Sequence, residues 1–333
     1  MKPYAAYAIG AALVDTEIQV TDAELAAMNV EKGMMTLVDQ ARQRYMLTTL
    51  SDHLIRANHA SGGSAGNSMI ATAMMGAPTY MSCKVAQDAD GDIYLADLEQ
   101  SGVAHGLTER STDGVTGKCI VLITPDAERS LNTHLGISET LSTDEVDEAA
   151  IKGSEWIYLE GYLVTSPSGH AAALKTKALA EAHGVKTAVS FSDPGMVKFF
   201  RDNMAAMVEG GVELVFSNES EALEWGQCDD LDTAIEAIKT VARRFVITLG
   251  ADGAVTWDGE TLHRVAAKPV EAVNTNGAGD MFAGAFLYAL SRGESDLRAT
   301  EYATLAAGEV VKYFGPRLER DACLTLRRQF FGD

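Results

Sequence analysis

The chain has 333 residues, 47% of them apolar, and a formal charge of −20. That length and apolar share bury a large core, so one large domain with a smaller one attached is expected. An isoelectric point near 4.7 argues against nucleic-acid or anionic-membrane partners, which need basic surface, so an anionic ligand must rely on a local positive cleft.

Met1-Lys2-Pro3 leads into an apolar run from Tyr4 to Val14. The run shares features with a signal peptide, but one lysine is a weak positive region and Gly10 breaks the apolar stretch. A buried first strand fits better. No other apolar run approaches the ~20 residues that span a bilayer, and a cytoplasmic protein is expected. Asp15 is placed at the end of that strand, where it either accepts hydrogen bonds from two sugar hydroxyls or sits exposed. Residues 61 to 76 begin Ser61-Gly62-Gly63-Ser64-Ala65-Gly66-Asn67-Ser68 and read as a Gly-rich turn opening a helix. Gly62 and Gly63 allow close backbone approach, while Ser64 and Asn67 offer groups suited to sugar hydroxyls. A plain turn with a serine cap accounts for the same residues.

Thr16 to Thr21 and Lys118 to Thr124 are β-type segments among polar turns. They place a small sheet or lid at 15–55 and 103–134, leaving 1–14, 56–102 and 135–333 to the large domain. Gly114-Val115-Thr116-Gly117-Lys118-Cys119 has neither the spacing of a P-loop nor its Ser/Thr after lysine. Arg129 either reaches a transferred phosphate from the lid or is a solvated surface residue.

Beyond residue 150, apolar runs at Trp156 to Leu159, Thr187 to Phe191, Leu214 to Phe216 and Phe245 to Leu249 alternate with helical stretches. That alternation predicts a parallel sheet with helices on both faces. In Ser217-Asn218-Glu219-Ser220-Glu221 a carboxylate on an opening helix turn either faces Mg²⁺ or closes a capping box. Thr248-Leu249-Gly250-Ala251-Asp252-Gly253 is a glycine-spaced turn after a strand, which a hairpin turn at Asp252-Gly253 accounts for. Cys83, Cys119, Cys228 and Cys323 are scattered, which predicts reduced thiols and no zinc site.

The most informative stretch is Asn274-Thr275-Asn276-Gly277-Ala278-Gly279-Asp280, running into an apolar helix. Small residues at a helix start bring unpaired amides against an anion. Asp280 is then a candidate base for a hydroxyl attacking a phosphoryl group, with an ordinary acidic first turn as the alternative.

Taken in order, Gly62-Gly63, Asn218 with Glu221, Thr248 with Gly250 and Gly253, and Gly277-Ala278-Gly279-Asp280 resemble the ribokinase-like (PfkB-type) carbohydrate kinase family over nearly the whole chain. The layout around Gly62 to Asn67, Arg129-Ser130-Leu131 and Leu159-Glu160-Gly161-Tyr162-Leu163 is similar to the adenosine kinase branch. The resemblance implies an α/β, ribokinase-like three-layer αβα fold with a mostly parallel central sheet and a small β-rich lid. It implies that Asp280 is the catalytic base and that the amides of Gly277, Ala278 and Gly279 form an anion hole, with Arg129 balancing charge. It assigns Leu13, Asp15, Gly62, Gly63, Ser64, Asn67 and Tyr162 to the substrate, and Asn218, Thr248, Gly250 and Gly253 to ATP. Glu221 is assigned to Mg²⁺ through water, and Asn274 to a monovalent cation, K⁺.

Two positions depart from the pattern. Asn274 replaces the family's first Asp of the terminal motif, which puts potassium dependence in question, and Ala11 stands where the branch tends to have a purine-contacting Asn. The expected activity is Mg-ATP-dependent phosphorylation of a nucleoside 5'-hydroxyl, adenosine to AMP, by a monomer or homodimer. The rivals are a sugar kinase of the same family, acting on ribose or fructose, and a ligand-binding protein on the kinase scaffold.

Overall fold

In a computed structural model, which describes residues 2–54, 58–107 and 110–333, the apolar runs become strands buried on both faces. Alternation along each strand decides which layer a side chain joins. Trp156 and Tyr158 point into one core and Ile157 and Leu159 into the other, and Phe245 and Ile247 are likewise split from Val246. The nine-stranded sheet runs, from one edge to the other, Leu262–Val265, Ala254–Trp257, Ala242–Thr248, Val212–Asn218, Lys186–Ser190, Ser154–Glu160, Tyr4–Ile9, Thr79–Ser82 and Val103–Ala104. Its pairings are parallel except where Ala254–Trp257 meets its two neighbours.

One face is covered by the helices Ser64–Met74, Ala89–Ser101, Ala278–Ser291, Asp296–Val310 and Arg320–Phe331, the other by Pro167–Ala182, Arg201–Val208, Glu219–Gly226 and Leu231–Lys239. Phe286 of Ala278–Ser291 meets Phe216 edge to face at 5.4 Å between centroids. That contact seats the helix on the sheet beside the carboxyl ends of the strands, where ligands of open α/β sheets bind.

The N-terminal run does not form one strand from Tyr4 to Val14. Tyr4–Ile9 ends in the large sheet, and Leu13–Gln19 begins a separate five-stranded sheet ordered Met35–Leu37, Arg129–His134, Gly117–Ile123, Leu13–Gln19, Asn58–Gly62. The break falls at Gly10, where a Cβ would press on the Glu160 carboxylate and Ala65. Asp15 is therefore the third residue of the second strand, not the end of the first. Asn58–Gly62, expected in the large domain, pairs antiparallel with Leu13–Gln19 in the small sheet. Val103–Ala104, expected in the lid, pairs with Thr79–Ser82 in the large one. The expected boundary at residues 55 and 56 lies outside the described residues.

The small sheet has two faces of different character. Ile18, Val20, Ile120 and Leu122 pack outward under the helices Asp22–Ala27 and Gln40–Thr49, while Leu13, Cys119, Val121 and Ile123 form the inner side. That inner side closes over the carboxyl ends of the large sheet's strands.

Candidate active site

A cleft of about 400 Å³ lies between the two sheets. Its walls include Leu13, Asp15, Gly63, Ser64, Asn67, Arg129, Tyr162, Asn218, Glu221, Thr248, Gly250, Gly277, Ala278, Gly279 and Asp280. Folding thus gathers sequence-predicted residues from segments far apart along the chain. Three others stand behind the wall. Gly62 has no room for a Cβ, which would overlap the Asp15 carboxylate; Gly253, at φ +97°, makes the turn into the antiparallel strand; and Asn274 is fully buried beneath the loop.

Asp280 is the third residue of the helix Ala278–Ser291. The Ser64 hydroxyl donates to its Oδ1 at 2.6 Å and Asn67 Nδ2 donates to its Oδ2 at 3.0 Å. Burial raises its pKa above the usual carboxylate range, opposed by the Ser64 and Asn67 hydrogen bonds and then by the charges of Arg129 and Arg317. Asn67 Oδ1 is buried without a partner among the described residues.

The loop before this helix turns on Gly277, at φ +74°, where a Cβ would collide with the Pro316 carbonyl. The N–H groups of Gly277, Gly279 and Asp280 make no hydrogen bond among the described residues, so three donors are left at the helix start. Ala278 N–H is different: it donates to Thr275 O at 3.2 Å. The small sheet touches the same loop, since Thr275 N–H and Oγ1 both donate to Ala127 O, at 3.2 and 2.9 Å. Two residues on, Arg129 opens the strand Arg129–His134 and brings its charge near Asp280, Glu221 and Asp193.

Glu221 is held mainly by its own helix. Asn218 Nδ2 donates to its Oε1 at 2.7 Å, Asn218 N–H donates to its Oε2 at 3.0 Å, and Glu221 N–H returns to Asn218 Oδ1 at 2.8 Å. Burial nevertheless pushes this carboxyl up to about 7. A carboxylate lining the cleft with lone pairs to spare beyond a capping box fits contact with Mg²⁺ through water. Asn274 is a poor fit to a monovalent cation. Its Oδ1 accepts from Asn276 N–H at 2.9 Å and its Nδ2 donates to Glu17 Oε1 at 3.0 Å, so the side chain is tied into the loop and brings no charge of its own to a cation.

Glu160 lines the same cleft and carries no assigned role in the sequence reading. Glu160 ends the strand Ser154–Glu160 and accepts from Ala11 N–H at 2.9 Å and Ala65 N–H at 2.7 Å, which ties the chain crossing to the start of the helix Ser64–Met74. Burial raises it to about 7 against those two N–H groups. The signal that could have found it is a lone carboxylate closing an apolar strand just before Gly161-Tyr162. Asp15 is also pushed up to about 7, by burial and then by the charge of Glu17, with Asn276 and Arg317 opposing. Tyr162 lies in the turn after Ser154–Glu160, and its hydroxyl donates to Ser192 O at 3.2 Å, so the ring is fixed in the wall.

The pfkB family carbohydrate kinase model matches residues 34–323. The chain belongs to the pfkB family of carbohydrate kinases. It is similar over its whole length to a solved structure of a probable sugar kinase from Rhizobium etli, with 31% identity, 100% and 99% of the two chains covered and a TM-score of 0.93. An adenosine kinase structure from Sinorhizobium meliloti has 32% identity, with 98% and 99% covered and a TM-score of 0.92. The adenosine kinase of Saccharomyces cerevisiae is 27% identical, over 92% of this chain and 95% of that one. These likenesses establish the ribokinase-like fold and support the adenosine kinase branch. This pfkB kinase is an ATP-dependent enzyme of the nucleoside and sugar kinase group. No helix among its described residues is long and apolar enough to cross a membrane.

Proposed function

We propose that this kinase transfers the γ-phosphoryl group of ATP to the 5'-hydroxyl of a nucleoside, adenosine foremost. The observation that carries the reading is the position of Asp280: a half-buried carboxylate held by Ser64 and Asn67, at the end of a turn that leaves the N–H groups of Gly277 and Gly279 unpaired among the described residues. A hydroxyl placed against Asp280 loses its proton to the carboxylate as its oxygen attacks phosphorus. The N–H groups of Gly277, Gly279 and Asp280, with the Arg129 guanidinium, stabilise the charge on the transferred group. Of the three amides expected from the sequence, Ala278 N–H contributes less, because Thr275 O already holds it.

Asp15 and Asn67 bind the ribose hydroxyls, while Leu13 and Tyr162 flank the base, for which an aromatic face suits a purine and is superfluous for a free sugar. Asn218, Thr248 and Gly250 border ATP. Glu221 would hold Mg²⁺ through water, and the metal would supply charge neutralisation at the phosphates. The small sheet of Leu13–Gln19, Met35–Leu37, Asn58–Gly62, Gly117–Ile123 and Arg129–His134 acts as a lid, and by closing over the cleft it keeps water from competing with the acceptor.

Replacing the base tests this reading. Asp280→Asn keeps the size of the side chain and an acceptor for Ser64, so fold and ATP binding should persist while kcat falls about 10²–10⁴-fold. Near-normal turnover in a folded Asp280→Asn sample removes Asp280 from the mechanism.

A further inference from the structure

Glu17 is a buried acidic residue unused by the mechanism above. It lies on the strand Leu13–Gln19, two residues beyond Asp15 and four beyond Leu13, so all three share one face of the small sheet. Its carboxylate does not contact the cleft. Instead, Oε1 accepts from Asn274 Nδ2 at 3.0 Å and from Asn276 Nδ2 at 2.9 Å, and Oε2 accepts from Gly315 N–H at 2.7 Å. Those donors come from the two segments that shape the anion-binding turn. Asn276 immediately precedes Gly277 and Asn274 lies in the same loop, and Gly315 precedes Pro316, whose carbonyl fills the space where a Gly277 side chain would go.

We infer that Glu17 is the positioning residue of this turn, and that its carboxylate, bound by three N–H donors, fixes the loop where a monovalent cation would otherwise be required. The donor geometry supports this. Asn274 stands where the family pattern has an Asp, and a carboxylate is present instead on the neighbouring strand, 3.0 Å from the Asn274 amide nitrogen. A carboxylate held by several N–H donors is stable when buried, whereas removing its charge leaves amide donors without an acceptor. The inference rests on the anion-hole reading of Gly277 to Asp280 but not on the identity of the acceptor.

The test compares wild type, Glu17→Gln, Asn274→Asp and the double variant carrying both, in potassium chloride and in choline chloride. The readouts are kcat and KM with the best acceptor, slow ADP release without acceptor, and thermal melting in each salt. Wild type should turn over and melt equally in the two salts, within about twofold in rate. Glu17→Gln should lose about tenfold or more in kcat, with acceptor KM changed less than about threefold, because the turn and not the sugar site is disturbed. Asn274→Asp sets two carboxylates against each other and should lose kcat, with potassium restoring part of it. In the double variant the amide introduced at position 17 can donate to the new carboxylate at position 274, and turnover should recover beyond either single variant. Strong potassium activation of the wild type, or a folded Glu17→Gln protein with unchanged kcat, overturns the inference. If Glu17→Gln does not fold, the salt comparison of wild type and Asn274→Asp decides the matter alone. Failure of the nucleoside reading is separable, since it shows as absent wild-type turnover on nucleosides while ADP release on another acceptor, or without one, still reports the variants.

Discussion

Ser64 and Asp280 lie 216 residues apart in sequence and meet at 2.6 Å, hydroxyl to carboxylate. One residue opens the helix Ser64–Met74 and the other lies in the first turn of the helix Ala278–Ser291, two helices that pack against each other on one face of the sheet. Thr72 Oγ1 bonds to Gly284 O at 2.9 Å, and Gly284 has no room for a side chain against the Ser68 carbonyl. Close packing of the two helices thus sets where the carboxylate of Asp280 sits.

The pH dependence follows from that environment. Burial raises the Asp280 pKa, and the Ser64 hydrogen bond lowers it by favouring the charged form. The base works deprotonated, so activity is lost as pH falls through the raised value, and the acid limb of kcat/KM should lie above the ordinary carboxylate range. Ser64→Ala removes a bond to the charged form and should move that limb to higher pH. A limb unmoved or shifted downward in the Ser64→Ala profile contradicts the assignment.

Glu160 supports the site through the backbone. Glu160→Ala leaves the N–H groups of Ala11 and Ala65 without their acceptor, at about 1–3 kcal/mol for each buried donor. Melting should drop by several degrees, and KM for the acceptor should rise. Glu160→Gln tests the titration. Between the unfolded value of 4.5 and the folded value of about 7, the native state holds a proton that the unfolded state has lost, so this group's contribution to stability falls as pH rises. The Gln variant lacks that slope, and its melting temperature relative to wild type should climb from about pH 5 to about pH 8. A constant difference across that range rules out a raised Glu160.

Substrate class is tested at the wall of the cleft. Leu13→Ala and Tyr162→Ala should raise KM for adenosine about tenfold or more with a smaller change in kcat, and leave any turnover of ribose nearly as it was. Equal losses on both acceptors would favour the sugar-kinase rival.

The turn itself is intolerant. Gly277→Ala forces a left-handed conformation, at about 1–2 kcal/mol for a residue with a Cβ, and drives that Cβ into the Pro316 carbonyl. A large fall in kcat in a protein that melts only somewhat lower is expected from activity and calorimetry together. Normal kcat would show that the turn need not hold its present shape.

Much of the site was legible because its parts are short strings with local reasons. Glycines mark the turns at 62–63 and 277–279, Asn218 and Glu221 stand at capping-box spacing, and the apolar runs after residue 150 name their own strands. Glu17 and Glu160 were not assigned roles, because each works on donors brought from elsewhere: Gly315 lies 298 residues from Glu17, and Ala65 lies 95 from Glu160. The first strand was overextended for a related reason. Residues 4–14 are almost uniformly apolar, and the break at Gly10 is set by the distant Glu160 and Ala65 side chains. Ala278 was grouped with its neighbours as a bare amide, although the local turn to Thr275 O already holds it.

The most direct measurement is a coupled ADP-release assay with Mg-ATP against adenosine, inosine, guanosine, ribose and fructose, with the phosphorylated position of any product read by phosphorus NMR. A nucleoside kinase working through Asp280 should turn over adenosine best, give the 5'-phosphate, and lose that activity in Asp280→Asn. Turnover confined to ribose or fructose, or no turnover of any acceptor by a folded protein that binds ATP, would contradict it.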